Sequence, residues 1–284
     1  MNLIQSIASP AWTAGFRVIT SRCESCHRSF AMRRLSAHKV GITMHGCWYC
    51  SSACFKAAAE KKLSDLLSTG QEQVNHVTRM PLGLIMIGRN LVTAEQLREA
   101  TEEQKEAGGE IGEILVRHGY VSEKQVTGVR AVQWSCPVFS VPKHSIHTGI
   151  QIPSVLIQLY FAIPLHYVPK TKHLLVGFVH GVEYGLLYAI EQMTGCNTQP
   201  CFVTPSDFDI QMQLREQMQE LYDDTTPKEL TFESIQTPAE MAQILCSHGV
   251  DIEADEVIIS RCRDYLWARL KYGANAVDLF FRAG

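Results

Sequence analysis

Five of the ten cysteines lie close together near the beginning of the chain. They form the sequence Cys23-Glu-Ser-Cys26 and, after a 20-residue interval, Cys47-Trp-Tyr-Cys50-Ser-Ser-Ala-Cys54. Two close pairs of thiolates are typical of a tetrahedral zinc site, because each pair lies on one turn and the metal closes the loop between the pairs. A segment this short has little apolar core, so metal binding would supply its folding free energy. We therefore predict a zinc-binding metal module over residues 21–66.

The fifth cysteine leaves the choice of ligands open. Cys47 with Cys50 has the spacing of a zinc ribbon, whereas Cys50 with Cys54 has a spacing in which Ser51 or Ser52 caps a helix that carries Cys54 in its first turn. We favour the second version and keep the first as its alternative. Because four thiolates leave no open position on the metal, we predict a structural zinc. The favoured ligands are Cys23, Cys26, Cys50 and Cys54.

The same cysteines have two other interpretations by spacing and sequence, a redox pair and a zinc finger of known type. A redox-active Cys-x-x-Cys is an alternative, but no βαβ pattern surrounds the first pair. The sequence ending in Tyr-Cys-Ser-Ser-x-Cys resembles small treble-clef zinc fingers, which agrees with a metal site. The two nearby histidines, His27 and His45, are expected to be solvated surface residues.

Composition excludes several classes of protein. Hydrophobic residues make up 46% of the chain and charged residues 19%, which is typical of a folded protein, and the net charge of -3 does not favour nucleic acid or anionic lipid. The first 20 residues lack a signal-peptide pattern and no apolar run is long enough to span a membrane, so we expect a cytoplasmic protein with reduced thiols. A nucleic-acid-binding zinc finger stays as an alternative because basic residues separate the cysteine pairs: Arg33, Arg34, His38 and Lys39.

A tandem repeat occupies the middle of the chain. Residues 81–104 and 110–133 align without gaps as two units of 24 residues. In each unit an apolar helix ends near a residue that tolerates a left-handed conformation, Asn90 or Gly119. A capping box then opens a second helix, at Thr93-x-x-Gln96 and at Ser122-x-x-Gln125. We predict two helical hairpins that pack as a pseudo-symmetric pair over residues 78–148.

The pattern of this repeat resembles the MshEN domain, the N-terminal domain of type II secretion and type IV pilus assembly ATPases. The resemblance implies that the repeat binds cyclic di-GMP, with glycines that allow the ligand close access to the backbone. This sequence departs from the pattern where the leading Arg is Pro81 or Glu110 and where a later Leu is Thr101 or Arg130. The residues carried over are Leu82, Gly83, Met86, Asn90, Leu97 and Gln104 in the first unit, and Ile111, Gly112, Leu115, Gly119, Val126 and Gln133 in the second.

Two further segments of mixed structure follow the repeat. In residues 149–222 we predict helices over 153–161, 182–193 and 206–222, and strands over 163–168, 173–179 and 199–203. The sequences Ala162-Ile-Pro-Leu165 and Met193-Thr-Gly195 extend the resemblance to the second half of the same N-terminal domain. In residues 229–284 a capping box at Thr237-Pro-Ala-Glu240 opens a helix that ends near His248. Three strands are predicted after it, over 256–260, 265–270 and 276–281.

The sequence thus predicts an α+β chain of several domains. These are an N-terminal segment (1–20), the metal module (21–66), the helical repeat (78–148), a small α/β half (149–222) packed with it, and a tail (229–284) of one helix and antiparallel strands. The chain lacks a P-loop and any nucleophile with its base, so we do not expect an enzyme or catalytic residues.

The resemblance implies a non-catalytic regulatory or adaptor protein of a secretion, type IV pilus or motility system. Its partners would be a protein of that machine and, as a candidate ligand, cyclic di-GMP, with zinc as its structural cofactor. The alternative is a zinc-finger scaffold for protein interaction that binds no nucleotide. Membrane insertion and nucleic acid are not expected.

Overall fold

The computed structural model describes residues 19–32, 41–69, 79–141, 150–221, 228–235, 237–273 and 275–283. The strands in these ranges are β1 (Ile19–Arg22), β2 (Ser29–Met32), β3 (Ile42–Met44), β4 (Cys47–Tyr49), β5 (Ala162–Val168), β6 (His173–Phe178), β7 (Asn197–Phe202), β8 (Lys228–Phe232), β9 (Glu256–Cys262), β10 (Tyr265–Tyr272) and β11 (Asn275–Arg282). The helices are α1 (Ser52–Thr69), α2 (Leu82–Gly88), α3 (Ala94–Ala107), α4 (Ile111–Arg117), α5 (Glu123–Trp134), α6 (Ser154–Tyr160), α7 (Tyr184–Thr194), α8 (Pro205–Leu221) and α9 (Pro238–Asp251).

A six-stranded sheet contains strands from the predicted metal module and from the predicted tail. Its order is β4-β3-β9-β10-β11-β8, in which β9, β10 and β11 form an antiparallel meander. The hairpin of β3 and β4 belongs to the metal module, and β3 pairs in parallel with β9. Apolar residues of β9, β10 and β11 are buried on both faces of the sheet, because α1 and α9 lie against one face and α7 against the other. The segments predicted as metal module and tail therefore share one sheet and one apolar cluster.

A smaller sheet forms the α/β half. In it β5 runs antiparallel to β6, and β6 runs parallel to β7. Helix α7 packs on β7 and also on β9, so that the core of this half continues onto the six-stranded sheet. The predicted α+β class is confirmed, including the antiparallel strands of the tail.

The tandem repeat folds as two helical hairpins. Helices α2 and α3 form the first unit and α4 and α5 the second, around an apolar cluster of their own. Asn90 and Gly119 have φ values of 55° and 73°, which lets the chain reverse between the two helices of each unit. Both predicted capping boxes are present, at Thr93 and at Ser122. Among the helices in the described ranges, none is long and apolar enough to cross a membrane.

Some predictions concern residues outside the described ranges. These are the N-terminal segment up to residue 18 and the basic residues between the cysteine pairs, Arg33, Arg34, His38 and Lys39.

Candidate metal centre and tandem repeat

Three elements bring four cysteines together. Cys23 and Cys26 lie in the turn between β1 and β2, Cys50 follows β4, and Cys54 lies in the first turn of α1. The backbone amide of Cys54 donates a 3.2 Å hydrogen bond to the Ser51 hydroxyl, so Ser51 acts as the predicted helix cap. This arrangement of a turn, a hairpin and a helix start is the order of elements expected for a treble-clef finger.

The distances between the sulfur atoms fit a tetrahedral zinc ion. The four Sγ atoms lie within 4.8 Å of one another, and Cys50 Sγ is 3.6 Å from Cys26 Sγ and 3.8 Å from Cys54 Sγ. Zinc–sulfur bonds of about 2.3 Å in a regular tetrahedron separate the sulfurs by about 3.8 Å. The four sulfurs are therefore spaced as ligands of one ion. In contrast, Cys47 is not part of this group and packs on β4 against the apolar cluster beneath α1.

The surroundings of Cys23 and Cys50 act on their thiols in opposite directions. Burial by itself raises the pKa of Cys23, but backbone amides of Cys26, Cys50 and Ser25 outweigh it, and the pKa falls to about 6. The amide of Cys50 contributes through a 3.5 Å hydrogen bond to Cys23 Sγ. In the absence of a cation, burial and the adjacent sulfurs raise the pKa of Cys50 to about 12. A divalent cation would remove the effect of the adjacent sulfurs, because it stabilises all four thiolates at once.

The tandem repeat buries half of the residues predicted to contact a nucleotide. Asn90 and Gly119 are exposed at the two helix ends, whereas the others lie wholly or partly inside. The buried residues are Leu82, Gly83, Met86, Gly112, Leu115 and Val126, and the partly buried ones are Leu97, Gln104, Ile111 and Gln133. Most of these residues therefore pack the four helices together, and two of the twelve are exposed to a ligand.

The two motif glycines permit close contacts between helices. A Cβ atom added to Gly83 would lie 2.5 Å from Leu97 Cδ1, and one added to Gly112 would lie 2.7 Å from Val126 Cγ1. Real Cβ atoms do not approach other carbon atoms so closely. In this fold the space above each glycine is filled by a side chain of the helix that follows it.

The arginine missing from the second unit has a counterpart elsewhere. Arg130 is buried, donates a 2.8 Å hydrogen bond to the carbonyl of Val179, and lies 3.4 Å from the carboxylate of Glu110. Burial lowers the pKa of Arg130. Thus the two positions at which this unit departs from the family pattern pair with each other. They also tie the repeat to the α/β half, a role that the sequence analysis missed.

Another arginine, Arg79, lies just before the first unit of the repeat. Its guanidinium lies 3.5 Å from the centre of the Trp134 ring, as a cation–π pair. Trp134 also contacts Tyr184 and Phe202, and its ring would be 2.9 Å from a Cβ atom on Gly181. Arg79 therefore holds the segment before α2 on the end of α5, and Trp134 in turn packs on the α/β half.

No protein-family model matches the chain. By sequence, the chain is 28% identical over 87 residues to the type IV pilus assembly ATPase PilB of Myxococcus xanthus, and this match covers 30% of the chain. It is 26% identical over 129 residues, 45% of its length, to PilB of Thermus thermophilus. The chain spans only 15% and 14% of the lengths of these two ATPases. The predicted resemblance to pilus assembly ATPases is thereby confirmed for part of the chain.

Solved structures that match part of the chain include MshE with cyclic di-GMP and the N-terminal domain of XpsE. The MshE match has a TM-score of 0.40 at 20% identity and covers 46% of this chain and 95% of that one. The XpsE match has a TM-score of 0.38 at 15% identity and covers 47% of this chain and 92% of that one.

Proposed function

We propose that this chain is a non-catalytic adaptor or regulatory protein of a type IV pilus or secretion machine, with a structural zinc ion in its metal module. The observation that carries the proposal is the sequence similarity to PilB, which is confined to a small part of those ATPases. A chain that shares one domain with a machine component can compete with that component for a partner or be bound by it.

The metal part of the proposal has separate support. Four sulfurs spaced as in a zinc tetrahedron lie at the junction of two turns and a helix start. The zinc would be held by Cys23, Cys26, Cys50 and Cys54, and its contribution would be to fold the module. With four protein ligands no coordination position is left for a substrate.

Cyclic di-GMP is the ligand proposed for the tandem repeat, as the resemblance implies. The exposed residues Asn90 and Gly119 would lie at the binding surface, with Arg89 beside the first of them. A second candidate function is a protein-interaction scaffold that binds no nucleotide. That function is favoured by the packing of the motif glycines against Leu97 and Val126, and by Glu110, a carboxylate paired with Arg130 at the position where the family pattern has an arginine.

Calorimetric titration of the zinc-loaded protein separates these two functions. Cyclic di-GMP is added, with cyclic di-AMP and GTP as controls, to the wild-type chain and to Arg89→Glu. Arg98→Glu, on the exposed face of α3, is the matched charge reversal. Micromolar or tighter binding that is weakened by Arg89→Glu alone supports a nucleotide sensor. If no heat is released at high protein concentration, the scaffold function is supported.

The adaptor role itself is tested with the pilus or secretion ATPase of the same organism. Purified ATPase is immobilised and the zinc-loaded chain is passed over it, with and without cyclic di-GMP. Saturable binding supports the proposal. Absence of binding, together with normal pilus assembly and secretion in cells that lack this chain, would refute it.

A further inference from the structure

The parallel pairing of β3 with β9 ends at an imidazole. The amide of Thr43 donates to the carbonyl of Asp255, and the amide of His45 donates to the carbonyl of Val257. In a regular parallel ladder the amide of Ile259 would next find a backbone acceptor on the β3 side. Instead, it donates a 3.0 Å hydrogen bond to Nε2 of His45, at a point where the chain turns away with a φ of 48°. The side chain of His45 thus extends the ladder into the β3–β4 turn.

His45 was expected to be a surface residue, and its side chain is exposed. Burial is nevertheless the largest influence on its ring and lowers its pKa, and the charge of Lys62 acts in the same direction. The contact with the Ile259 backbone and the charge of Glu256 act in the opposite direction and raise the pKa. The neutral ring has an Nε2 lone pair that accepts the hydrogen bond from the Ile259 amide.

The contact of His45 with Ile259 is one link between the metal module and the tail. A second link involves α1, the helix that carries Cys54. At its beginning, the Cys246 thiol of α9 lies 3.6 Å from the carbonyl of Ser52. At its end, the Arg261 guanidinium of β9 donates to the carbonyls of Leu66 and Leu67 at 2.9 and 3.0 Å. These carbonyls belong to the last turn of α1, where backbone acceptors lack partners within the helix.

One apolar cluster fills the space between these links. Cys23, Phe55 and Leu63 of the metal module are buried in it together with Leu245 of α9 and Ile259 of β9. Two cysteines of the metal group therefore lie on elements that the tail covers, because Cys23 is itself buried and Cys54 lies in the first turn of α1.

We propose that His45 is a positioning residue that couples the metal site to the C-terminal sheet, so that metal occupancy and the order of β9 and α9 stabilise each other. The inference rests on the metal binding proposed above. The metal joins the β1–β2 turn to the end of β4 and the start of α1. These elements are joined to β9 at two points. His45 accepts the hydrogen bond from Ile259, and Arg261 donates to the last turn of α1. Ligand binding to one segment stabilises every segment that folds with it.

The test measures metal affinity and hydrogen exchange on the full chain. His45→Gly removes the acceptor without backbone strain, because glycine adopts positive φ freely. His27→Gly is the matched control, since His27 has a φ of 58° in the other turn of the module and an exposed side chain. Metal affinity is measured by competition with a chromophoric chelator. Exchange is followed in peptides from β9 and, for reference, from α3.

Loss of one hydrogen bond should weaken metal binding about 3- to 10-fold in His45→Gly relative to His27→Gly. Chelation of the wild-type chain should speed exchange in β9 and leave α3 unchanged. Arg261→Met, which leaves the β3–β4 turn intact, should weaken metal binding in the same direction. Equal affinities for the two glycine variants, or β9 exchange that does not respond to chelation, would overturn the coupling. The metal content of the wild-type chain is measured first, and a chain without metal would instead overturn the proposed metal site.

Discussion

The side-chain amide of Gln133 donates a 2.7 Å hydrogen bond to the backbone carbonyl of Met80. Gln133 is the last residue of the second unit of the repeat, and Met80 immediately precedes the first unit. The matching residue of the first unit, Gln104, donates at 2.8 Å to the carbonyl of Gly109, which immediately precedes the second unit. Each unit therefore ends by fastening the beginning of the other, so these glutamines close the pair.

Replacement of the closing glutamine should weaken the repeat modestly. Gln133→Leu removes the hydrogen bond to the Met80 carbonyl. Because Met80 is exposed, water can replace the lost donor, so we expect a loss of about 0.5–1 kcal/mol in the free energy of unfolding. Gln104→Leu should have a similar effect. Gln213→Leu on the exposed side of α8 is the control. Urea unfolding measures all three, and equal stability of Gln133→Leu and the control would contradict the closing role.

Gly112→Ala should destabilise the repeat by about 1–3 kcal/mol, because the new methyl group would overlap the stiff side chain of Val126. Gly83→Ala should cost less, since it meets the flexible end of Leu97. Gly128→Ala in α5 meets nothing within 4 Å and should be neutral or stabilising by about 0.5–1 kcal/mol. Thermal unfolding of the three variants ranks them. The reverse order would mean that the glycines are not there for packing.

The cysteine variants should divide sharply in metal content. Cys26→Ser should lower both zinc content and the stability of the module, because it removes one of the four grouped sulfurs. Cys47→Ser should retain zinc, since Cys47 lies outside the group. Metal content is measured by mass spectrometry after dialysis against a weak chelator. Zinc loss in Cys47→Ser with retention in Cys54→Ser would instead support the zinc-ribbon ligand set.

A buried ion pair should make the C-terminal sheet sensitive to loss of one partner. Asp278 is fully buried and accepts hydrogen bonds from Arg269 Nε and Nη2, both at 2.8 Å, and from Trp267 Nε1 at 2.7 Å. Arg269→Met would leave the carboxylate without its cation and should cost about 3–5 kcal/mol. The double variant Arg269→Met, Asp278→Leu should recover part of that loss. Chemical denaturation gives both values, and an additive double variant would argue against the pair.

Stability should depend on His180 at acid pH. Burial, and next the charge of Arg130, lower the pKa of His180, while Glu113 and Glu110 act in the opposite direction. A folded-state pKa below the unfolded value of 6.5 means that the unfolded chain binds more protons, so stability falls as pH drops below about 6.5. His180→Gln should flatten this slope between pH 7 and 5. Unfolding of both proteins at each pH isolates the effect, and parallel slopes would disprove it.

The local elements could be predicted from the sequence because local signals determine them. Both capping boxes of the repeat, the left-handed residues Asn90 and Gly119, and the helix cap at Ser51 follow from short-range hydrogen bonding and backbone sterics. The strands β9, β10 and β11 follow from runs of apolar residues separated by turns. The spacing of the cysteines predicted two close pairs but left two ligand sets open, and the structure brings Cys23, Cys26, Cys50 and Cys54 together.

Only the tertiary structure decided which distant segments share a sheet and which side chains are used up inside. The pairing of β3 with β9 joins residues more than two hundred positions apart, and no local periodicity encodes such a partner. The short strand β8 was missed for the same reason, because five residues become a strand only beside β11. Motif residues such as Gly112 and Gln133 were identified by spacing. Their contacts with Val126 and Met80 depend on how the helices pack, which is set by the sum of many weak contacts across the whole fold.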